Sequence, residues 1–412
     1  MLPMLGCATT PGAGAGAPHV VVIGGGFGGA TCAKYLRRFD PGLKVTLVEA
    51  NRQYATCPGS NWVLGGLRDM PAITQGYDAL RSKHGVDVIH DTVTAIDPAA
   101  RTVRLAGGQT LNYDKLVMSP GIDFRWGAIE GYDENASRRI PHAWKAGAQT
   151  ALLRDQLRAM RDGGTFIMSA PGGAFRCPPG PYERVSMIAH YLKTNKPKSK
   201  ILVLDAKENF SKQGLFQAGW AKRYEGMIEW VAGSKGGRVE RVDVAKMAVY
   251  TEGGFTEHKG DVINIIPAQT ASNLALATGL GNDEGWCPVN QATFESAKHP
   301  GIYVIGDSAI AGAMPKSGHA ANNQGKMAAV AVVSAIRGYA VPEPSAVNTC
   351  YSLVAPDYGI SIAAVYRLKD GALAGVQGSG GLTPADASVA DLRREANYAA
   401  GWYTGITEDT WG

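Results

Sequence analysis

Cys177 is the residue of this chain best placed to do chemistry. It stands in Phe175-Arg176-Cys177-Pro178-Pro179-Gly180-Pro181-Tyr182-Glu183-Arg184, between an apolar strand, Thr165–Ala170, and a helix expected over residues 182–192. The unpaired amides of a helix start favour a thiolate, so the expected chemistry is thiol–disulfide exchange. Glu183, six residues on, falls on the first turn of that helix. It is placed either to handle a proton or to complement the helix dipole.

The remaining chemistry-bearing residues give weaker signals. Six cysteines in 412 residues are too sparse for a disulfide scaffold and contain no CxxC pair. Zinc sites, thioredoxin-like motifs and c-type haem attachment are therefore not indicated, and any haem must sit on another polypeptide. The eight histidines show no ligand spacing, so no metal site is expected. Cys32 and Cys287 read as buried thiols, and His319 as a satisfied structural histidine.

The elements that must position these residues begin with a βαβ unit. The strand His19-Val-Val-Val-Ile23 runs into Gly24-Gly25-Gly26-Phe27-Gly28-Gly29, then a helix over residues 30–39, then Lys44-Val-Thr-Leu-Val-Glu49. Gly24 and Gly26 permit the tight turn and the approach of a pyrophosphate, Gly29 permits close packing of helix on strand, and Glu49 suits the ribose hydroxyls. A distant strand ending in Gly306-Asp307 points to FAD rather than NAD, because NAD has no ribityl chain for that aspartate to hold; the bland alternative is a common Gly-Asp turn. Leu116-Val-Met-Ser-Pro-Gly121 reads as the return strand of the same domain.

A second strand–helix–strand pattern, residues 165–170, 182–192 and 201–205, is the expected second dinucleotide domain, but its turn carries the cysteine, the prolines, Phe175 and Arg176 in the pyrophosphate path. A nicotinamide is not the expected electron partner. The fold class is therefore α/β, a glutathione-reductase-like flavoprotein with two dinucleotide-binding domains and a C-terminal interface domain. Residues 18–129 and 262–345 are expected to bind FAD, 130–261 to form the degenerate NAD-like domain and 346–412 the interface domain, with a terminal helix near residues 391–403.

A formal charge of +5, spread without basic blocks, gives no footprint for nucleic acid. The longest apolar run, residues 327–336, is too short to span a bilayer. Residues 1–17 read as a disordered Gly/Ala start or a leader remnant, since Ala13-Gly14-Ala15 resembles the end of a cleaved signal.

Several of these motifs together resemble the flavoprotein subunit of flavocytochrome c sulfide dehydrogenase, from about residue 19 to 412: Cys177-Pro-Pro-Gly-Pro-Tyr-Glu-Arg184, Tyr54-Ala-Thr-Cys57, Gly285-Trp-Cys-Pro288, Met314-Pro-Lys-Ser-Gly318, Asn348-Thr-Cys350 and Trp402-Tyr403. The resemblance implies covalent FAD through Cys57 and a redox disulfide between Cys177 and Cys350 above the flavin ring. The bland reading of that bridge is structural, worth roughly 5 kcal/mol on the chain-entropy model. The resemblance further implies that Glu183 handles the proton as hydrosulfide attacks and that Trp402 lies near the ring. Lys316 would lie before a helix start facing the flavin, adding positive charge there or serving as a solvated loop lysine. It implies a c-type cytochrome subunit as heterodimer partner, sulfide or polysulfide as substrate, and a periplasmic location. Hydrosulfide would open the bridge to a persulfide and a thiolate, which passes an electron pair to the flavin.

The enzymatic competitor is a sulfide:quinone reductase, which needs a membrane-facing amphipathic segment near the C-terminus; Leu392, Tyr398, Trp402 and Tyr403 read instead as a protein-docking surface. An NADH-dependent disulfide reductase lacks its fingerprint. A non-catalytic reading makes the chain a redox-sensing protein whose disulfide switches a partner.

Overall fold

The computed structural model describes residues 16–412; most of the segment read as a leader remnant, with Cys7, lies outside the described residues. Along the chain come β1 (His19–Ile23), α1 (Phe27–Phe39), β2 (Lys44–Val48), α2 (Ser60–Leu64), β3 (Asp87–Ile89) and β4 (Lys115–Met118). There follow β5 (Thr165–Ala170), α3 (Gly180–Asn195), β6 (Lys200–Asp205), β7 (Ile228–Val231) and β8 (Val262–Ile265), then β9 (Ile302–Val304) and α4 (Gly318–Arg337). The C-terminal region adds β10 (Ser345–Ala355), β11 (Tyr358–Lys369), β12 (Ala372–Gly375), β13 (Gly381–Leu382) and α5 (Val389–Trp411).

Two parallel sheets form the framework, ordered β9-β4-β1-β2-β3 and β7-β6-β5-β8. Their central strands are β-branched and aliphatic runs buried on both faces, as parallel strands covered by helices must be. In the first, Val21 pairs with Thr46 on one side and Leu116 on the other, so the carboxyl ends of four strands converge. Gly24, Glu49, Ser119 and Gly306 follow those ends directly, which is where open α/β sheets bind ligands. The C-terminal strands make an antiparallel sheet, β10-β11-β12 with β13 against β11.

Three helices differ from expectation at their ends. α1 starts at Phe27, immediately after Gly26, rather than at residue 30, which brings its bare N-terminus closer to the glycine turn. α3 spans 180–195, because Gly180 and Pro181 occupy first-turn positions that need no backbone donor. α5 runs on to Trp411, past Gly401 and Gly405, because Tyr403, Ile406, Thr410 and Trp411 continue its buried face; a Ser388–Asp391 capping box fixes its start. The apolar run 327–336 lies within α4, and no helix among the described residues is long and apolar enough to cross a membrane.

Candidate functional site

A cavity of about 460 Å³ opens at the carboxyl edge of the first sheet, lined by Gly24, Gly26, Glu49, Cys57, Arg176, Gly306 and Asp307 among others. Two glycines there are dictated by geometry. Gly24 has φ +94° and a Cβ would stand 2.3 Å from the Ser119 carbonyl oxygen; at Gly29 it would stand 1.9 Å from the Gly24 carbonyl oxygen. The first lets the chain turn beneath a ligand and the second seats α1 on the turn. Glu49 Oε2 accepts from the Gly25 amide at 2.7 Å and Oε1 from the Asn51 amide at 2.9 Å, fixing the carboxylate at the rim.

Asp307 supplies the fit test for a dinucleotide with a polyol chain. Its Oδ2 lies 3.7 Å from Arg176 Nη1, while its buried Oδ1 and the buried Arg176 Nε have no hydrogen-bond partner. A buried carboxylate oxygen left unpaired costs about 1–3 kcal/mol, more when charged, so the site calls for a hydroxyl donor. The glycine cradle, the helix start and this orphaned acceptor together fit FAD.

A second, smaller cavity of about 60 Å³ adjoins the first; Cys57, Pro58, Ser317 and Gly318 line both. Cys177, Cys350, Glu183, His319 and Trp402 also line it, so three cysteines far apart in sequence meet here. All five described cysteines are free thiols in this structure. Cys177 adopts a left-handed backbone, φ +57°, rare for a residue with a side chain. Its amide donates to the Lys316 carbonyl at 2.7 Å and its carbonyl accepts from the Gly180 amide at 2.8 Å. The bare α-carbon of Gly180 makes room for the sulfur, since a Cβ there would lie 2.9 Å from Cys177 Sγ.

The expectation of a low thiol pKa at Cys177 is corrected. Burial pushes the thiol well up, with Cys350 and Glu183 adding to the rise and Arg176 opposing it. The helix begins three residues later, at Gly180. A helix-start dipole is worth about 0.3–1 kcal/mol, less than one pKa unit, whereas full burial moves a group by several. Cys350 is also raised by burial, but Lys212 and hydrogen bonds from Asn348 and Ser317 oppose it.

Glu183 is anchored rather than loose. Asn61 Nδ2 donates to its Oε2 at 2.8 Å, and Trp62 Nε1 and the Leu353 amide donate to its Oε1 at 3.1 and 3.0 Å, tying α2, α3 and β10 around the small cavity. Next to it, the buried Arg184 donates to Asn61 Oδ1 and to the His142 and Ala143 carbonyls, which sets the loop against which Cys57 and Arg176 rest. Asn61, Trp62 and Lys212 escaped sequence reading because each acts across more than a hundred residues, and Arg184 was read only as the end of the motif that starts at Cys177.

Lys316 directly precedes Ser317, the N-cap of α4, and Ser317 and Gly318 line both cavities. The Lys316 ammonium donates to the Asp307 and Ala309 carbonyls at 2.8 Å each and sits 3.9 Å from the Trp286 ring centre, so it is half-buried against the indole and does not itself line the long cavity. His319 is structural, its Nδ1 accepting from the Thr349 amide at 2.9 Å, with burial holding its pKa below the ordinary value. Trp402 packs edge-on to His319, its indole N–H unpartnered. Of the four residues read as a docking surface, only Tyr398 is exposed; Leu392 and Tyr403 are buried in α5's inner face. Cys32 and Cys287 are buried, as expected.

The second βαβ unit is filled where a nicotinamide cofactor would lie. Asp205, at the end of β6, is fully buried and accepts from Tyr182 Oη at 2.5 Å, Lys207 Nζ at 2.6 Å and Trp230 Nε1 at 3.1 Å. Tyr182 stacks on Phe210 with ring centres 3.6 Å apart. Arg176 turns away from this unit toward Asp307.

Known proteins resemble the chain in segments. Residues 18–155 match the family of pyridine nucleotide-disulphide oxidoreductases, residues 150–267 the central region of the sulfide dehydrogenase (flavocytochrome c) flavoprotein chain, and residues 342–411 the flavin-binding region of flavocytochrome c sulphide dehydrogenase. A sulfide dehydrogenase (flavocytochrome c) flavoprotein chain of Chlorobaculum thiosulfatiphilum is 60% identical over 48 residues, 12% of this chain and all of that sequence. A sulfide-quinone reductase of Aquifex aeolicus is 36% identical over 121 residues, 29% of this chain and 28% of that one. The mitochondrial sulfide:quinone oxidoreductase of Dictyostelium discoideum is 22% identical over 301 residues, 70% of this chain and 65% of that one. The chain thus spans less than two thirds of these two relatives. Among solved structures, the sulfide:quinone oxidoreductase of Aquifex aeolicus superposes with a TM-score of 0.73 at 19% identity, covering 96% of this chain and 92% of that one, which establishes the shared fold.

Proposed function

We propose, from the premise that this chain belongs to the FAD-dependent pyridine nucleotide-disulfide oxidoreductases related to the sulfide dehydrogenases and sulfide:quinone oxidoreductases, that it oxidises sulfide at the small cavity. The observation carrying this reading is that Cys177 and Cys350 line a cavity that shares a wall with the dinucleotide site. At about 60 Å³ it has room for roughly two waters, which suits hydrosulfide better than an organic thiol.

In this reading Cys177 and Cys350 are joined as a disulfide in the resting enzyme. Hydrosulfide attacks one sulfur; a new S–S bond forms, the old one breaks, and the other cysteine leaves as a thiolate. Glu183 Oε2, with a single donor, keeps a lone pair to take the proton when the incoming species is hydrogen sulfide. A second sulfide releases the sulfur as polysulfide. Re-forming the bridge requires removal of two electrons, the chemistry FAD supplies when bound, since it accepts pairs and releases singles. Cys57 lines both cavities, which supports its assignment as a covalent anchor for FAD. Residues 18–129 and 262–345 then hold FAD, 130–261 carry Cys177, and 346–412 carry Cys350.

Two readings of the electron acceptor rest on different observations. A quinone is favoured by the breadth of similarity, since the relatives named for quinone reduction align over 70% of the chain. A c-type cytochrome subunit, met in the periplasm, is favoured by the matches at residues 150–267 and 342–411 and by the 60% identity over 48 residues. Most apolar residues of α5 also face the protein rather than outward, Val389 and Tyr398 being its exposed large ones. Anaerobic turnover with sulfide decides between them: reduction of a cytochrome c and not of a short-chain quinone selects the cytochrome, the converse selects the quinone, and reduction of neither rejects sulfide oxidation. Acid denaturation followed by peptide mass spectrometry tests the covalent link, which predicts FAD retained on the Cys57 peptide and is refuted by its clean release.

A further inference from the structure

Lys212 is a buried cation that forms no ion pair among the described residues. It is 6% exposed, holds a left-handed backbone at φ +61°, and precedes the helix Gln213–Arg223. Its ammonium donates to the Cys350 carbonyl at 2.9 Å, to Ser352 Oγ at 2.8 Å and to the Ile360 carbonyl at 3.4 Å, and lies 5.7 Å from the Phe216 ring centre. These acceptors are all neutral. Among the described residues no carboxylate stands within ion-pair distance of it. Burying an ammonium without an ion-pair partner is expensive, and an anion formed nearby would be stabilised by it.

The anion available is a thiolate. Burial pulls the Lys212 pKa down to about 8, and Cys350, Glu183 and Cys177 in their charged forms pull it back up, Cys350 most strongly. Conversely, Lys212 is the largest influence opposing the rise of the Cys350 thiol, and Asn348 Nδ2 donates toward Cys350 Sγ at 3.4 Å. Cys177 has Cys350, Glu183 and Cys57 raising it and Arg176 opposing. The other titratable groups facing the pair are Glu183 on α3, which raises Cys350, Glu395 on α5, which raises Lys212, Tyr366 on β11, and His319 at the start of α4, whose pKa burial lowers.

Resting on the disulfide reading above, we propose that Lys212 is a positioning residue that provides the counter-charge for Cys350 as leaving thiolate, so that hydrosulfide attacks Cys177 and the persulfide forms there. The sulfide sulfur bonds to Cys177 Sγ, the Cys177–Cys350 bond breaks with its electron pair going to Cys350 Sγ, and the hydrosulfide proton stays on the new persulfide.

The test uses the reduced holoprotein and no sulfide. In a Cys177→Ser background, the pH dependence of iodoacetamide labelling at the Cys350 peptide is read by mass spectrometry. Lys212→Met is expected to raise the labelling midpoint by about one pH unit or more, and Lys212→Arg to keep it close to the parent. An unchanged midpoint with methionine overturns the assignment. Should the methionine variant fail to fold, Cys350 in Cys177→Ser is compared with Cys177 in Cys350→Ser, both retaining Lys212; Cys350 must label at the lower pH, and equal or reversed midpoints overturn the proposal. Absence of sulfide turnover in the wild-type protein would reject the functional reading while leaving this titration to judge Lys212 by itself.

Discussion

The two βαβ units of this protein share a topology and differ in what occupies the carboxyl end of their strands. In the first, Glu49 stays at the rim of a cavity of about 460 Å³, its oxygens held by backbone amides. In the second, the acid at the matching strand end, Asp205, is sealed beneath Tyr182, Phe210 and Trp230 and bonded to Lys207. The same secondary structure therefore serves once as a binding cradle and once as a platform that presents Cys177. What decides is the turn: glycines leave room for a phosphate, whereas a proline-rich turn with Phe175, Arg176 and Cys177 redirects the chain toward the first cavity. Fold alone would have assigned both units the same task.

The largest test of that difference substitutes a glycine in each turn. Gly29→Ala places a methyl 1.9 Å from the Gly24 carbonyl oxygen, and we expect loss of bound FAD and roughly 3 kcal/mol or more of stability. Gly173→Ala, with φ +71° but nothing within 4 Å of the added atom, should cost about 1 kcal/mol, the backbone penalty alone, and leave FAD content unchanged. Chemical denaturation and the ratio of flavin to protein absorbance read both effects.

Next in size, Asp205→Ala removes the buried anion that one buried and two part-buried donors share. The expected cost is about 3 kcal/mol without loss of FAD and without gain of NADH oxidation, measured by urea unfolding and a nicotinamide assay. FAD loss on this substitution would blur the distinction between the units. Glu49→Gln makes the complementary cut: in a Cys57→Ser background the FAD dissociation constant should rise about tenfold, with stability changed by less than about 1 kcal/mol. Equilibrium dialysis reads the first and denaturation the second.

The smallest effect belongs to Lys316, whose pKa burial draws down to about 8 from an ordinary 10.5. Between those values the unfolded chain holds the proton and the folded chain does not, so this group makes stability rise as pH increases from 8 to 10.5. Lys316→Met should flatten the slope of unfolding free energy against pH in that window and leave it unaltered below. An unchanged slope would mean that the ammonium is not buried against Trp286 as described.

Much of the fold was legible because its signals are contiguous. The glycine turn, the flanking strands and Glu49 lie within about thirty residues, and the alternation from strand to helix is read directly. Helix ends were less legible: Gly401 and Gly405 argue locally for an early stop in α5, and the tertiary burial of Ile406 and Trp411 overrides them. The site was legible in part. Cys177, Cys350 and Cys57 line one cavity although they lie far apart in the chain, and a local dipole argument could not foresee that burial raises Cys177. Lys212 and Asn61 gave no signal, since neither belongs to a motif and their partners lie far along the chain.

The central claim is that sulfide electrons enter through Cys177 and Cys350. Its most direct test is anaerobic titration of the holoprotein with sulfide while following the visible flavin absorbance. The account predicts stoichiometric bleaching in the wild type and at least a hundredfold slower bleaching in Cys177→Ser and Cys350→Ser, about 2.7 kcal/mol of barrier each. Bleaching of both serine variants at the wild-type rate would contradict it.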